Sequence, residues 1–314
     1  MDKALYSADG ISTELVQSKK ITQEEKRTRG RAIFATSLGH GLEYFDFTLY
    51  SYFAPTIGKL FFPAQGELVQ LMLSLATFGI AYIARPLGSI LIGSYADRAG
   101  RKPALMLTIS LMAAGTAIIG LTPAYETIGI LAPSLLVLGR LLQGVSAGGE
   151  AGASTAFLME SGGLRSRGFA VSWQAASQAG AALASACCVF MLAKSMDSEA
   201  LASWGWRLPF LAGLLIGPLG FYLRRHLDDT LPVDNRSHEP ATRILLQNWP
   251  KVLCAAMVVI GGTATTYTMF FLSSFSQITL HFSTAETSIV SGCVAVSVLF
   301  VAPLAGILTD RLLA

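Results

Sequence analysis

The sequence predicts an all-α, polytopic membrane protein, and three observations carry that prediction. Hydrophobic residues make up 52% of the chain and charged residues only 14%, against about 25% charged in a soluble domain; mean hydropathy is +0.53. Eight stretches are apolar over lengths that match the roughly 20 residues needed to cross about 30 Å of hydrocarbon. Basic residues collect in the segments between them: with the N-terminus in the cytoplasm, 18 of the 23 Lys and Arg fall on the cytoplasmic side. The net charge of +3 therefore reports orientation rather than an acidic partner. Both termini are expected inside.

Residues 1–30 are polar and mixed in charge, with no apolar core or small-residue cleavage site, and read as a cytoplasmic tail that is not cleaved. The first span, 31–54, carries His40, Glu43 and Asp46 at intervals of three, close to one helical face. The second, 68–95, holds Arg85 just before Pro86. A charged loop, Gly93-Ser94-Tyr95-Ala96-Asp97-Arg98-Ala99-Gly100-Arg101-Lys102, leads into the third span, 104–122. The fourth, 128–158, contains Arg140, Gln143 and a run of small residues: Gly144, Ala147, Gly148, Gly149, Ala151, Gly152 and Ala153. In lipid, such residues serve close helix packing. The fifth, 168–194, carries Trp173, Gln174 and Gln178. Trp204, Trp206 and Arg207 open the sixth, 206–223, and read as an interfacial anchor. Spans two, four and five exceed one crossing, so they tilt or protrude.

The polar interval 224–249, with Pro232 and Pro240, is the natural cytoplasmic boundary between two bundles. The expected domains are thus a tail (1–30), a six-helix bundle (31–223), a central loop (224–249) and the start of a second bundle (250–314). The seventh and eighth spans are 250–275 and 288–309. Part of the charged loop recurs after the eighth as Gly306-Ile307-Leu308-Thr309-Asp310-Arg311. A charged loop repeated once per half points to a transporter built by duplication, with a complete half followed by the first third of another.

Charged groups at membrane depth cost about 3 kcal/mol or more, so each implies a partner, a cavity or a function. Glu43 and Asp46 are close enough that one is expected to take up and release a proton, the property that proton coupling requires. Arg140 keeps its charge and needs an anion. Glu150 lies ten residues on, about 15 Å along the helix at 1.5 Å per residue, so the first-span carboxylates are the better partners. If an organic anion competes for Arg140, its binding frees a carboxylate to be protonated, a physical route to symport. Gln143 shares the face of Arg140. Arg85 meets either a substrate carboxylate or, by snorkelling, a lipid headgroup. Gln174 and Gln178, one turn apart, hydrogen-bond either a polar substrate or a neighbouring helix. In the loop, Gly93 is expected to allow close helix approach, and Asp97 to pair with loop arginines or cap a helix. Arg98, Arg101 and Lys102 reach for carboxylates, with Glu160 the obvious acceptor. Such a cluster closes the cytoplasmic side in one conformation and breaks in the other.

Other functions find no support. The basic residues flank spans rather than forming a face with interleaved aromatics, so no nucleic-acid partner is expected. Cys187, Cys188, Cys254 and Cys293 lie in apolar stretches without CxxC spacing and read as small hydrophobes. No Ser/His/Asp set, metal spacing or phosphate loop appears, so no enzyme, metal or cofactor is expected.

Two motifs, Gly-x-x-x-Asp-Arg-x-Gly-Arg-Lys at 93–102 and Arg-x-x-Gln-Gly at 140–144, resemble the major facilitator superfamily. Gly41-Leu42-Glu43-Tyr44-Phe45-Asp46-Phe47, Ala84-Arg85-Pro86-Leu87-Gly88, Gly139 to Glu150, Ser172-Trp173-Gln174 and Trp204 to Phe210 are similar to its metabolite:proton symporter branch. The segments 127–133, 140–148 and 172–178 are most similar to its citrate and tricarballylate members. The resemblance implies a twelve-span fold, of which eight are present, and a central site between two six-span halves. It implies proton-coupled uptake of a small organic acid, citrate-like first, by a monomer in a bacterial inner membrane. Arg140, Arg85, Gln143, Gln174 and Gln178 would bind substrate; Asp46, Glu43 and Glu150 would serve coupling. Gly93, Asp97, Arg98, Gly100, Arg101, Lys102 and Glu160, with Asp310 and Arg311 from the second copy, would form the inner gate. The rival readings are a proline or betaine carrier, an exporter of amphiphilic drugs, and a truncated product without transport.

Overall fold

The computed structural model describes residues 8–63, 66–161, 166–225 and 247–313, and among them it is helical throughout. Eight long helices follow one another: α1 (Ala8–Phe61), α2 (Glu67–Ala99), α3 (Arg101–Leu121), α4 (Leu131–Ser161), α5 (Arg167–Ser195), α6 (Arg207–Arg225), α7 (Trp249–Thr279) and α8 (Thr284–Leu313). Each overlaps one of the eight predicted spans. By length and composition α2, α3, α4, α5 and α8 are able to cross a membrane. The residues of the expected tail are helical from Ala8, and α1 runs unbroken through the first span. Most of the expected central loop, 226–246, lies outside the described residues.

Local sequence explains the joints. Gly100 ends α2 and begins α3 at φ 111°, a left-handed conformation that a side chain would strain, and its N–H closes the last turn on the Ala96 carbonyl. A π-helical turn, Leu201–Gly205, precedes α6, with the Trp206 N–H reaching back to Leu201. Ser283 caps α8: its backbone N–H and hydroxyl donate to Glu286, and the Glu286 N–H donates back to the Ser283 hydroxyl. This is a reciprocal capping box, visible in the sequence as Ser-x-x-Glu.

The core is built around the second half of α1. Phe47, Leu49, Tyr50, Tyr52, Phe53, Ile57 and Phe61 are fully buried, with Phe78 from α2, Leu136 from α4 and Phe210 from α6 packed into the same cluster. Trp206 belongs there too: it is 0% exposed, edge-on to Phe61 and Phe210. It is therefore a core residue and not part of an interfacial anchor, while Trp204 is half exposed. The small-residue run does bring helices together. A Cβ on Gly144 or Gly148 would collide with the backbone carbonyl of Ala81 or Arg85, and one on Gly88 would strike Val145. These contacts press α4 against α2 and set the depth of Arg85 and Arg140.

Candidate functional site

Asp46, Arg140 and their partners are brought together by three helices. Arg140 on α4 is 0% exposed; its Nη1 donates to Gln143 Oε1 at 2.7 Å, within one turn of the same helix. The Gln143 amide nitrogen donates to Asp46 Oδ2 on α1 and to Thr116 Oγ1 on α3, and the Thr116 hydroxyl in turn donates to Asp46 Oδ2 at 2.8 Å. Asp46 Oδ2 thus accepts from two helices at once, α4 through Gln143 and α3 through Thr116. The buried guanidinium lies over the Tyr50 ring at 3.6 Å and near Phe78 at 5.6 Å, where the ring faces supply negative potential. Tyr50 is itself fixed by its hydroxyl, which donates to the Ser74 carbonyl on α2.

The relay leaves hydrogen-bonding capacity unused. Asp46 Oδ1 and Arg140 Nε and Nη2 are buried and have no hydrogen-bond partner among the described residues. Such groups are costly to leave unsatisfied, about 1–3 kcal/mol each and more when charged. Asp46 also lines a small cavity with Thr116, Gly213 and Glu150. Its free volume of about 20 Å³ exceeds the ~10–15 Å³ that one water requires. Glu150 is 2% exposed and faces this cavity from α4, one helix away from Asp46.

Glu43 and Asp46 do not share one cation. Glu43 turns toward α2, where the Arg85 Nη2 donates to its Oε1 at 2.8 Å. Arg85, of which 24% of the side chain is exposed, also lies over the rings of Phe47 and Tyr82 at 5.0 and 4.5 Å. The sequence offered a substrate or a headgroup as its partner; the structure gives it a carboxylate on the neighbouring helix. The ring of Phe78 meets those of Phe47, Tyr50 and Tyr82, Phe47 also meets Tyr82, and this group of four links the two arginines. Nothing in the sequence pattern singled out this aromatic group. Gln174 and Gln178 both hydrogen-bond neighbouring helices: Gln174 meets Ser154 and Thr155 of α4, and Gln178 meets His40 of α1.

At the other end of the bundle, Arg101 Nη1 donates to Asp97 at 2.8 Å across one turn. Arg98 is exposed and Lys102 half-buried. No described atom lies within 4 Å of where a Cβ on Gly93 would stand, so this glycine does not serve a close approach among the described residues. The Glu160 side chain is outside the described part. The second copy of the motif is engaged: Asp310 accepts hydrogen bonds from the Gly168 and Phe169 N–H groups at 2.7 and 2.8 Å, capping the N-terminus of α5. Gly306 lies one turn before it, against Ser172 and the Gly168 carbonyl, while Arg311 is exposed. Among the described residues no cluster of His, Cys, Asp and Glu is arranged to hold a metal.

Comparison with known proteins places this arrangement. Residues 32–253 match the family model described as "Sugar (and other) transporter". The chain is 39% identical over 287 residues to a citrate-proton symporter of Salmonella typhi, covering 90% of this chain and 66% of that protein. It is 35% identical over 297 residues to a proline/betaine transporter of Salmonella typhimurium, covering 90% of this chain and 59% of the relative. The chain thus spans just under two thirds of the length of the first and less of the second. In fold it is similar to the xylose transporter XylE from E. coli in a partially occluded inward-open conformation, with TM-score 0.61, 17% identity, and coverage of 91% of this chain and 68% of that one. The chain belongs to the sugar (and other) transporter family, within the major facilitator superfamily, a family of membrane carriers rather than enzymes.

Proposed function

We propose that this chain serves proton-coupled uptake of a small organic acid, citrate or a related di- or tricarboxylate, by alternating access in a bacterial inner membrane. The observation that carries the reading is the buried Arg140, with Nε and Nη2 lacking acceptors, wired through Gln143 to a buried Asp46 whose Oδ1 is likewise unsatisfied. A substrate carboxylate matches the open side of the guanidinium fork, where two parallel N–H···O bonds form. An anion there supplies the countercharge that Asp46 supplies in its absence, so Asp46 is released to accept a proton on Oδ1. Substrate and proton then travel together because each removes the cost of the other. Departure of the acid restores the demand of Arg140 for a carboxylate and expels the proton.

Glu43 with Arg85 forms a second carboxylate–cation pair on the same face of α1, and Glu150 a carboxylate beside the Asp46 cavity; both are assigned to coupling. Asp97 with Arg101, and Asp310 on the α5 N-terminus, are assigned to the inner gate, with the N-terminus cytoplasmic and the carrier a monomer. Relatives that carry citrate and relatives that carry proline or betaine both match this chain, so a zwitterion carrier is the second reading. Isothermal titration of the purified protein separates the two. Citrate binding that disappears in Arg140→Gln supports the acid reading. Binding of proline or betaine, with none of citrate, overturns it.

A further inference from the structure

His40 is a buried titratable side chain that this mechanism does not use. It is 4% exposed, on α1 one turn before Glu43. Its Nδ1 lies 3.7 Å from Glu43 Oε2, and its Nε2 lies 2.6 Å from the amide nitrogen of Gln178 on α5. Two nitrogens at that distance share one proton, so one of them must accept. With the amide assigned in this orientation, its nitrogen has no lone pair to offer and the imidazole Nε2 accepts. The ring proton then sits on Nδ1, the tautomer that the adjacent Glu43 carboxylate favours.

A second proton on the ring removes this arrangement. Nε2 becomes a donor facing another donor, and the contact survives only if Gln178 turns its amide over to present Oε1. The two helices are in close contact at this level: beside His40, the Cβ position of Gly41 is 3.4 Å from the Ser177 carbonyl on α5. We propose that His40 and Gln178 form a proton-responsive contact between α1 and α5, in which protonation of the imidazole drives an amide flip of Gln178. Among the described residues, these charged and titratable groups lie near this level. Glu43 and Tyr44 lie on α1 itself, and Arg85 of α2 reaches the level through Glu43. Glu150 of α4 faces the cavity lined by Gly39 and Leu42, α6 contributes only Gly213, Leu214 and Gly217 there, and α5 offers the uncharged Gln178.

The consequence reaches beyond the pair. Gln174, one turn from Gln178, joins α5 to α4 through Ser154 and Thr155. A flip at Gln178 changes the donor pattern on the α5 face that holds α1 and α4 together, at the level of the Glu43–Arg85 pair.

The test is ¹⁵N-imidazole NMR of the protein in lipid nanodiscs across pH 5–8.5, with His40 identified by the signal lost in His40→Gln. The proposal expects the neutral ring as the Nδ1–H tautomer, and side-chain amide resonances of Gln178 that shift along the same titration curve as His40. In Gln178→Glu, a carboxylate accepts from Nε2, and the tautomer should invert to Nε2–H. Gln178→Leu should shift the His40 titration while leaving the Nδ1–H tautomer that Glu43 favours. A neutral ring that is Nε2–H in the unaltered protein overturns the proposal, as does a His40 titration identical in all three proteins. The spectrum is read without transport, so failure here leaves the Arg140–Asp46 reading intact, and loss of citrate binding leaves this one intact.

Discussion

Removing the charge of Asp46 in two different ways separates its role as a countercharge from its role as a hydrogen-bond acceptor. Asp46 Oδ2 accepts from Thr116 and from Gln143, and Gln143 passes the link to a fully buried Arg140. In Asp46→Asn, the carbonyl oxygen can occupy the Oδ2 position and keep both bonds. The loss is the difference between charge-assisted and neutral bonds, about 1 kcal/mol each and so about 2 kcal/mol. Asp46→Leu removes the carboxylate as Asn does and also leaves the buried Thr116 and Gln143 donors without this acceptor, a further cost of about 1 kcal/mol each. The two variants should therefore differ by about 2 kcal/mol, or roughly 30-fold in the folding equilibrium. Unfolding titrations in mixed micelles at pH 7.5, followed by tryptophan fluorescence, read this difference. Variants equal within about 0.5 kcal/mol, the scatter of featureless surface substitutions, would refute the claim that Asp46 is the buried acceptor for Thr116 and Gln143.

The remaining expectations follow from contacts elsewhere. Gly148→Ala places a methyl on the Arg85 carbonyl and should destabilise by about 1–3 kcal/mol, whereas Gly152→Ala meets nothing within 4 Å and should be neutral or mildly stabilising in the same titration. A double-mutant cycle of Glu43→Gln and Arg85→Gln should give a coupling of about 1–3 kcal/mol, and additivity would deny that the pair is formed in solution. Asp310→Asn should accelerate hydrogen exchange at the Gly168 and Phe169 amides, with the middle of α5 unchanged as the control. Glu67→Gln breaks an exposed pair with Lys59 and should leave the unfolding midpoint unchanged.

The spans, the motifs and the residues of the charged network were legible because each rests on composition or on spacing within one helix. The partners were not, because they depend on how helices rotate against each other. Glu43 and Asp46 are three apart and read as a repelling pair, yet the α1 face is wide enough that one turns to Arg85 and the other to Gln143 and Thr116. Arg85 had no visible carboxylate because its partner is on another helix, and the ring cluster between the arginines draws on α1 and α2 together. Glycine carries no address: Gly148 and Gly93 look alike in sequence, but only Gly148 meets a backbone carbonyl. Trp206 fits an interfacial belt by position, and the π-helical turn before α6 carries it into the core.

The central claim is that acid and proton move together through the Arg140–Asp46 relay. The direct measurement is the proton flux that follows citrate addition to proteoliposomes holding the protein, recorded with an external pH indicator and no imposed gradient. The account expects external alkalinisation on adding citrate, abolished in both Arg140→Gln and Asp46→Asn. Citrate entry without proton movement, or proton movement that survives Asp46→Asn, would contradict it.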